Sequence, residues 1–143
     1  MIQRILALLL LALGSAAWGA SSCVVVISSV AFGTYIAASP TPLDAVGAIN
    51  VVCDGPVGTF VITTDGGSSG NPDARTMVSG AERLSYQLYS NAARTNTWKS
   101  PHNHPINSTE PRTIPHTLYG RIFASQDVAP GAYSDSVAVT IVP

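Results

Sequence analysis

Two short segments decide the fold, CVVVI at residues 23–27 and INVVC at residues 49–53. Side chains of an extended strand alternate between two faces, so each segment places a cysteine and two β-branched residues on one face. If the strands pair antiparallel with the cysteines opposite each other, these apolar residues also pair. The predicted pairs are Cys23 with Cys53, Val25 with Val51, and Ile27 with Ile49. A shift of one residue would move all of them to the other face, so the pattern predicts this register.

The first twenty residues have the order of a secretory signal peptide. Basic Arg4 precedes an apolar run over residues 5–13, and mostly small residues follow up to Ala20. The run is shorter than the about 20 apolar residues that span a bilayer. The sequence therefore predicts a signal peptide over residues 1–20, one mature domain over residues 21–143, and no stable membrane anchor.

Cys23 and Cys53 are the only cysteines of the chain. In an exported protein, a single pair of cysteines most simply forms one disulfide. Such a bridge stabilises the fold by about 3–4 kcal/mol, because it closes a long loop in the unfolded chain. A zinc site needs more ligands, and a redox pair needs the spacing Cys-x-x-Cys, neither of which this sequence has. We therefore predict a structural disulfide.

The rest of the chain alternates with the period of β-strands. Further strands are predicted at residues 57–64, 84–88, 118–123 and 137–141. A helix is the alternative around residues 82–94, because Leu84 and Leu88 are also four residues apart, but the tyrosines there favour a strand. Together these segments predict an all-β sandwich of about six or seven strands with no second domain.

Two stretches between these strands are rich in residues that interrupt regular structure. Residues 65–73 (DGGSSGNPD) combine glycine, serine, asparagine, aspartate and proline, which predicts a turn. Four prolines divide residues 100–115, which predicts loop or edge structure there.

The composition and the net charge exclude some classes of function. The 143 residues are 46 % hydrophobic and only 10 % charged, where soluble domains average about a quarter charged. Such a chain has ample apolar surface to bury, which argues against disorder. The net charge is −1 and lysine and arginine form no run, so binding to nucleic acid through phosphate neutralisation is excluded.

Two motifs of the sequence resemble catalytic or metal-binding patterns. Residues 66–70 match the nucleophile pattern G-x-S-x-G, but that elbow needs a helix directly after it, and Asn71-Pro72-Asp73 favours a turn instead. His102 and His104 would point the same way on a strand and could chelate a metal, yet they lie in a proline-bounded segment, where solvated histidines are the ordinary outcome. The sequence thus predicts no catalytic residues, no metal site and no cofactor.

Several segments, taken in order, resemble the spore coat U family, whose secreted domains also serve as pilins in archaic, Csu-type chaperone–usher pili. The resemblance runs from Cys23 to Val142. Its pieces are Cys23 with Phe32-Gly33-Thr34-Tyr35, Gly47-Ala48-Ile49-Asn50-Val51-Val52-Cys53, Arg75-Thr76-Met77, Leu84-Ser85-Tyr86-Gln87-Leu88-Tyr89, Ala92-Ala93-Arg94-Thr95 with Trp98, Tyr119-Gly120-Arg121-Ile122, and Pro130-Gly131-Ala132-Tyr133-Ser134-Asp135.

The resemblance implies an immunoglobulin-like, pilin-like sandwich that lacks its final strand and has no enzymatic activity. The implied groove is edged by the last predicted strand, with Val137, Val139 and Ile141 as its residues. A periplasmic pilus chaperone fills such a groove first, and another pilin subunit then replaces it at an outer-membrane usher, which is donor-strand complementation. The implied location is the periplasm in transit, then the surface of a Gram-negative cell.

Cleavage after Gly19 leaves only Ala20-Ser21-Ser22 before the first cysteine. A pilin that donates a strand needs roughly a dozen residues there, at about 3.3 Å per residue. The sequence therefore predicts a strand acceptor that ends a fibre or remains an unpolymerised coat component. The alternative function is a stand-alone secreted binding module that holds a metal or a glycan with the segment 100–115.

Overall fold

The computed structural model describes residues 22–55, 57–99, 102–108 and 112–142, and the predicted signal peptide lies outside these ranges. Within them the chain forms eight strands and one 3₁₀ turn at Gly67–Ser69. The strands are β1 (Cys23–Ser28), β2 (Leu43–Cys53), β3 (Val57–Thr64), β4 (Thr76–Ser79), β5 (Glu82–Tyr89), β6 (His102–Ser108), β7 (Arg112–Ile122) and β8 (Val139–Val142). The same ranges contain no helix that is long and apolar enough to cross a bilayer.

The strands form two sheets in which all pairings are antiparallel. The larger sheet has the order β1-β2-β7-β5-β4, and the smaller sheet has the order β6-β3-β8. The all-β prediction is confirmed, with strands β4 and β6 in addition to those that alternation predicted. β1 is an edge strand of the larger sheet, and β8 is an edge strand of the smaller sheet.

The register predicted for the two cysteine strands is confirmed. Cys23 of β1 pairs with Cys53 of β2. The two expected apolar pairs, Val25 with Val51 and Ile27 with Ile49, are also present. A disulfide joins the two cysteines. Val25, Ile49 and Val51 of this face pack into the core, whereas Ile27 at the end of β1 is 49 % exposed. A slipped register would take the packed side chains out of the core.

Residues 82–94 begin with strand β5, so the strand was the correct choice over the helix. Leu84, Tyr86 and Leu88 are buried on the inner face. Gln87 and Tyr89 are buried as well, because other parts of the chain cover this strand from outside. Burial on both faces explains why the sequence there is less clearly alternating.

Of the loop or edge structure expected over residues 100–115, the described residues form strands, and the edge structure is confirmed for β6. Pro115 lies within β7, opposite Asn50 of β2. β5 pairs only with residues 119–122 of β7, so the part of β7 around Pro115 is paired on one side. Proline lacks an N–H and is tolerated in a strand where that position faces an unpaired side.

The core between the sheets consists of two apolar clusters. The first surrounds the disulfide and contains Ile49, Val51, Cys53, Ile62, Trp98 and Leu118. The second lies beside it and contains Met77, Leu84, Tyr86, Leu88 and Ile122. The segment that follows β1 joins the clusters, since Val30 packs against both.

Two glycines allow the segment after β1 to lie directly on the larger sheet. A Cβ at Gly47 would stand 2.7 Å from the backbone oxygen of Ser28 and 2.8 Å from Val30. A Cβ at Gly120 would stand 2.6 Å from the Phe32 ring and 2.8 Å from Val30. Any side chain at either position therefore displaces residues 28–32 from the sheet.

Gly120→Ala is expected to lower the free energy of unfolding by about 1–3 kcal/mol, the usual cost of overpacking. Urea unfolding followed by tryptophan fluorescence measures the loss. Gly131→Ala serves as the control, since its Cβ would meet only the hydroxyl of Ser79 at less than 3.5 Å, and that side chain can rotate away. Equal stabilities of the two variants would contradict the close approach described here.

A buried arginine joins the two sheets at one end of the sandwich. Arg75 is 0 % exposed, and its guanidinium donates to five oxygens, none of which belongs to a carboxylate. The acceptors are the backbone oxygens of Asp65, Pro72 and Trp98, the hydroxyl of Thr64 and the side-chain oxygen of Gln87. Burial lowers the pKa of Arg75, and these oxygens replace the water that the cation loses. Because Thr64 belongs to β3 and Gln87 to β5, Arg75 connects the two sheets.

Candidate functional site

An open groove of about 850 Å³ runs between two extended segments of the chain. The first rim of the groove consists of residues 27–35, which are the end of β1 and the segment that follows it. The second rim is residues 128–137, which lead into β8. The floor is apolar apart from one hydroxyl and consists of Met77, Leu84, Tyr86, Leu88, Leu118 and Ile122. All of these floor residues except Leu118 belong to the second core cluster, and none of the six is more than 8 % exposed.

The backbone of the first rim is unpaired beyond β1. Residues 29–35 belong to no strand, and within the described chain they make no backbone–backbone hydrogen bond. Their side chains are nevertheless anchored, because Val30, Phe32 and Tyr35 pack against the core. This rim is therefore held in place by its side chains while its peptide groups remain available.

The second rim is tethered on one edge only. Ser134 and Val78 exchange two backbone hydrogen bonds of 2.9 and 3.1 Å. Ala138, just beyond the rim, accepts a bond from the amide of Asp65 (3.1 Å) and donates one to its carboxylate (2.9 Å). Peptide groups of successive residues in an extended strand point to opposite edges. Ser134 is thus bonded toward β4 and Ala138 toward Asp65, which directly follows β3, while the amide of Ser136 donates to the Asp135 carboxylate.

The odd-numbered residues of the second rim point the other way. Within the described chain, the peptide groups of Tyr133, Asp135 and Val137 form no hydrogen bond with another backbone group. The two rims therefore present free backbone donors and acceptors above an apolar floor. Edges of this kind are templates for pairing with another strand.

Asp135 is a charged residue on the side of the second rim that faces the groove. Residues 133, 135, 137 and 139 are all half-buried, whereas the residues between them are exposed. One carboxylate oxygen of Asp135 accepts bonds from the amide and hydroxyl of Ser68 and from the amide of Ser136. The other accepts a 2.6 Å bond from the hydroxyl of Tyr86. The Asp135 carboxylate is therefore satisfied by hydrogen bonds rather than by a counter-ion.

These hydrogen bonds determine the ionisation of the pair. Burial alone would raise the pKa of Asp135, but the bonds from Ser68 and Tyr86 outweigh it and hold the pKa below its usual value. Burial, together with the bond to Asp135, raises the pKa of the Tyr86 hydroxyl well above its usual range. At neutral pH the pair is thus a carboxylate that accepts and a neutral phenol that donates.

The lowered pKa of Asp135 has a consequence for acid stability. A carboxyl whose pKa is lower in the folded state stabilises the fold above its unfolded pKa of about 4, and the contribution is lost as the pH falls through the folded value. Asp135→Asn is therefore expected to reduce the free energy of unfolding at pH 7 by about 1 kcal/mol, a modest value because the group is partly exposed.

Urea unfolding at a series of pH values measures this effect. The curves of Asp135→Asn and of the unaltered protein should converge as the pH falls from about 4 toward 2. Asp127→Asn, at an exposed position, is the control and should leave the profile unchanged. A constant gap between the variant and the unaltered protein across this range would contradict the role given to the carboxylate.

The residues predicted to edge the groove lie on the expected segment but divide between two environments. Val137 and Val139 line the groove. Val139 and Ile141 pack against the first core cluster, around the disulfide, so Val139 belongs to both environments. Whether any of the three contacts an incoming strand stays a prediction.

The other candidate motifs lie elsewhere or have other partners. In the G-x-S-x-G segment, residues 67–69 form a 3₁₀ turn that ends at Gly70 in a left-handed conformation, and the Ser68 hydroxyl donates to Asp135. The structure does not describe the side chains of His102 and His104. Across the described residues, His, Cys, Asp and Glu form no cluster suited to a metal ion. The segment 100–115, proposed as a binding loop, instead contains β6 and the start of β7.

Sequence reasoning missed the roles of Phe32, Tyr86 and Asp135 at the groove. The segments containing them were recognised only as pieces of a family resemblance. One signal was available, since Asp135 interrupts an otherwise apolar alternation from Tyr133 to Ile141. A carboxylate on an inward face needs hydrogen-bond donors nearby, which would have directed attention to it.

Comparisons with known proteins agree with this architecture. The chain aligns with the CsuE subunit in the crystal structure of the CsuC–CsuE chaperone–tip adhesion subunit pre-assembly complex from the archaic chaperone–usher Csu pili of Acinetobacter baumannii. The TM-score is 0.60 at 21 % identity, with 85 % of this chain and 39 % of that chain covered. The chain thus spans about two fifths of that subunit.

A second solved structure is the minor tip subunit HdaB of the E. coli Hda pilus, at a TM-score of 0.42 and 13 % identity, with 82 % of this chain and 79 % of that one covered. Among curated protein sequences, no match was found. The family model of the Spore Coat Protein U domain matches residues 10–140, which is most of the sequence. The chain therefore belongs to the Spore Coat Protein U domain family.

Proposed function

We propose that this chain is an exported structural subunit of a surface fibre or a spore-coat-like layer, and that its groove accepts a β-strand from another polypeptide. The observation that carries the proposal is the pair of rims with unpaired peptide groups above an apolar floor. An added strand would bond to both rims through its main chain and cover the floor with alternate side chains. This is recognition by β-strand addition.

The groove also explains why such a subunit needs partners at every stage. Open strand edges beside an apolar groove promote uncontrolled association. A periplasmic chaperone would cover the groove first, and a neighbouring subunit would replace the chaperone at an outer-membrane usher. The A. baumannii relative was crystallised in a pre-assembly complex with a chaperone, which supports the chaperone step of this proposal. The signal peptide over residues 1–20 would direct the chain to the periplasm and then to the cell surface.

The family and the fold support a structural rather than an enzymatic role. The serine of the G-x-S-x-G segment donates its hydroxyl to Asp135 at the edge of the groove. This hydrogen bond holds Asp135, and with it the second rim, in place. Ser68 therefore has a structural role at the groove.

A synthetic probe peptide tests the proposal. The peptide has about twelve residues, enough to follow the rims at about 3.3 Å per residue, with valine and threonine alternating and lysine at both ends. In the matched control peptide, proline replaces the central threonines, because proline lacks the N–H that pairing needs. We expect the probe peptide to raise the midpoint of thermal unfolding by several degrees at saturating concentration.

The outcome separates strand addition from unspecific contact. The proposal requires stabilisation by the probe peptide and little or none by the control peptide. Equal stabilisation by both would indicate apolar contact without strand pairing. No stabilisation by either peptide would contradict the proposed acceptor role.

The fibre-terminating role is a separate proposal. It depends on signal cleavage near Gly19, which determines how much chain precedes Cys23. The mass of the exported protein locates that cleavage, and electron microscopy of the purified subunit shows whether it polymerises by itself. Fibres formed from this subunit alone would contradict a terminating role and leave the acceptor role intact.

A further inference from the structure

We propose that the hydrogen bond between Tyr86 and Asp135 fixes the spacing of the two rims, so that these residues position the incoming strand. The inference rests on the proposed acceptor function and adds to it a pair of positioning residues. Neither residue is required to bond to the incoming strand itself. Their effect is on the distance between the edges to which that strand binds.

Tyr86 contacts both rims of the groove from its floor. Its hydroxyl donates a 2.6 Å bond to Asp135 of the second rim. Its ring meets the ring of Phe32, on the first rim, edge to face, with centroids 6.1 Å apart and planes inclined at 73°. The Tyr86 side chain is only 3 % exposed, so packing fixes its position. One residue of β5 therefore connects two segments that no backbone bond joins in the described chain.

Asp135 is in turn fixed to the loop that precedes β4. The amide of Ser68 donates to it at 2.7 Å, and the Ser68 hydroxyl donates at 2.5 Å. Both bonds go to the carboxylate oxygen that Tyr86 does not use. Gly67 allows this approach, because a Cβ there would overlap the Asp135 carboxylate. The second rim is therefore bound to the loop through one oxygen and to the floor through the other.

The spacing of the rims matters because strand pairing is sensitive to distance. Paired strands lie about 4.8 Å apart, so a strand that pairs with both rims requires them about twice that distance apart. If the second rim moves away from the floor, the incoming strand bonds well to one rim and poorly to the other. Rims held in the bound geometry also reduce the ordering cost of binding.

Tyr86→Phe is the most selective test. It removes the hydroxyl but keeps the ring that packs on Phe32, so the fold is expected to persist. Tyr89→Phe is the matched control, since Tyr89 lies on the same strand but its side chain points to the opposite face. The affinity of the full mature chain for the fluorescein-labelled probe peptide is measured by fluorescence anisotropy. Thermal unfolding without peptide is measured in parallel.

We expect Tyr86→Phe to weaken binding of the probe peptide about tenfold while Tyr89→Phe binds like the unaltered protein. We also expect amide exchange at Ser136 to accelerate in Tyr86→Phe, because its bond partner Asp135 is released from the floor. A merely structural role would lower the unfolding midpoint without changing the affinity of the folded protein.

The failures of the two proposals can be distinguished. If the unaltered protein binds the probe peptide and Tyr86→Phe binds it equally well, the positioning role is overturned and the acceptor function stands. If the unaltered protein does not bind the probe peptide at all, the acceptor function and the positioning role are both overturned.

Discussion

Replacing Arg75 with alanine is expected to reduce the free energy of unfolding by at least about 3 kcal/mol. The substitution removes six hydrogen bonds from the guanidinium and opens a cavity where the side chain was fully enclosed. The backbone oxygen of Asp65 loses its described donors, whereas the oxygens of Pro72, Gln87 and Trp98 each keep one other donor. Each buried acceptor left unsatisfied costs about 1–3 kcal/mol unless water reaches it. Since domains are stable by only about 5–15 kcal/mol, this loss removes a large part of the total.

Two further variants make the Arg75 prediction specific. Arg75→Lys keeps the charge but supplies three donors from a single nitrogen instead of a planar fork, so it should fall between the alanine variant and the unaltered protein. Arg83→Ala is the control, because Arg83 is exposed and its one described contact is a 3.4 Å bond to Thr76. Guanidinium unfolding measures all three. An Arg75→Ala midpoint as high as that of Arg83→Ala would contradict the account of the buried network.

Removing the disulfide is expected to have an effect of similar size. The bridge spans 30 positions of sequence, and opening a loop of that length costs about 3–4 kcal/mol in the chain-entropy description. Cys53 is 2 % exposed and belongs to the first core cluster, so alanine there also loses packing. The double variant Cys23→Ala with Cys53→Ala should therefore unfold at a clearly lower denaturant concentration.

The reductant dithiothreitol provides an internal control for the disulfide prediction. It should lower the unfolding midpoint of the unaltered protein toward that of the double variant and leave the double variant unchanged. If the reduced and oxidised forms of the unaltered protein unfolded at the same midpoint, the bridge would have no stabilising role.

The part of the fold that the sequence predicted best is the ladder between β1 and β2. Its cysteines restrict the register to a single choice, and that register places Val25, Ile49 and Val51 together against the core. The start of β2 was less visible, because Ala45 and Gly47 face the core with little or no side chain. Small residues contribute almost nothing to an alternation pattern, although Gly47 is essential for the close packing of the segment after β1.

The groove chemistry could not be predicted from the sequence, because it depends on contacts between distant parts of the chain. Tyr86 and Asp135 are 49 positions apart, and each alone has an ordinary interpretation as a strand aromatic or a polar turn residue. Arg75 likewise looks like a surface cation until its loop folds over β5. Periodicity reveals which face of a strand is buried but not which distant polar group meets it there.

The central claim is that the groove binds an extended strand between two rims whose peptide groups are unpaired. Amide hydrogen exchange followed by NMR, with and without the probe peptide, tests it most directly. We expect new protection at every second amide of residues 29–35 and at the amides of Tyr133, Asp135 and Val137. We expect little change at the amides of Ser134 and Ala138, which are already bonded. Protection confined to one rim or to another part of the surface would contradict the account.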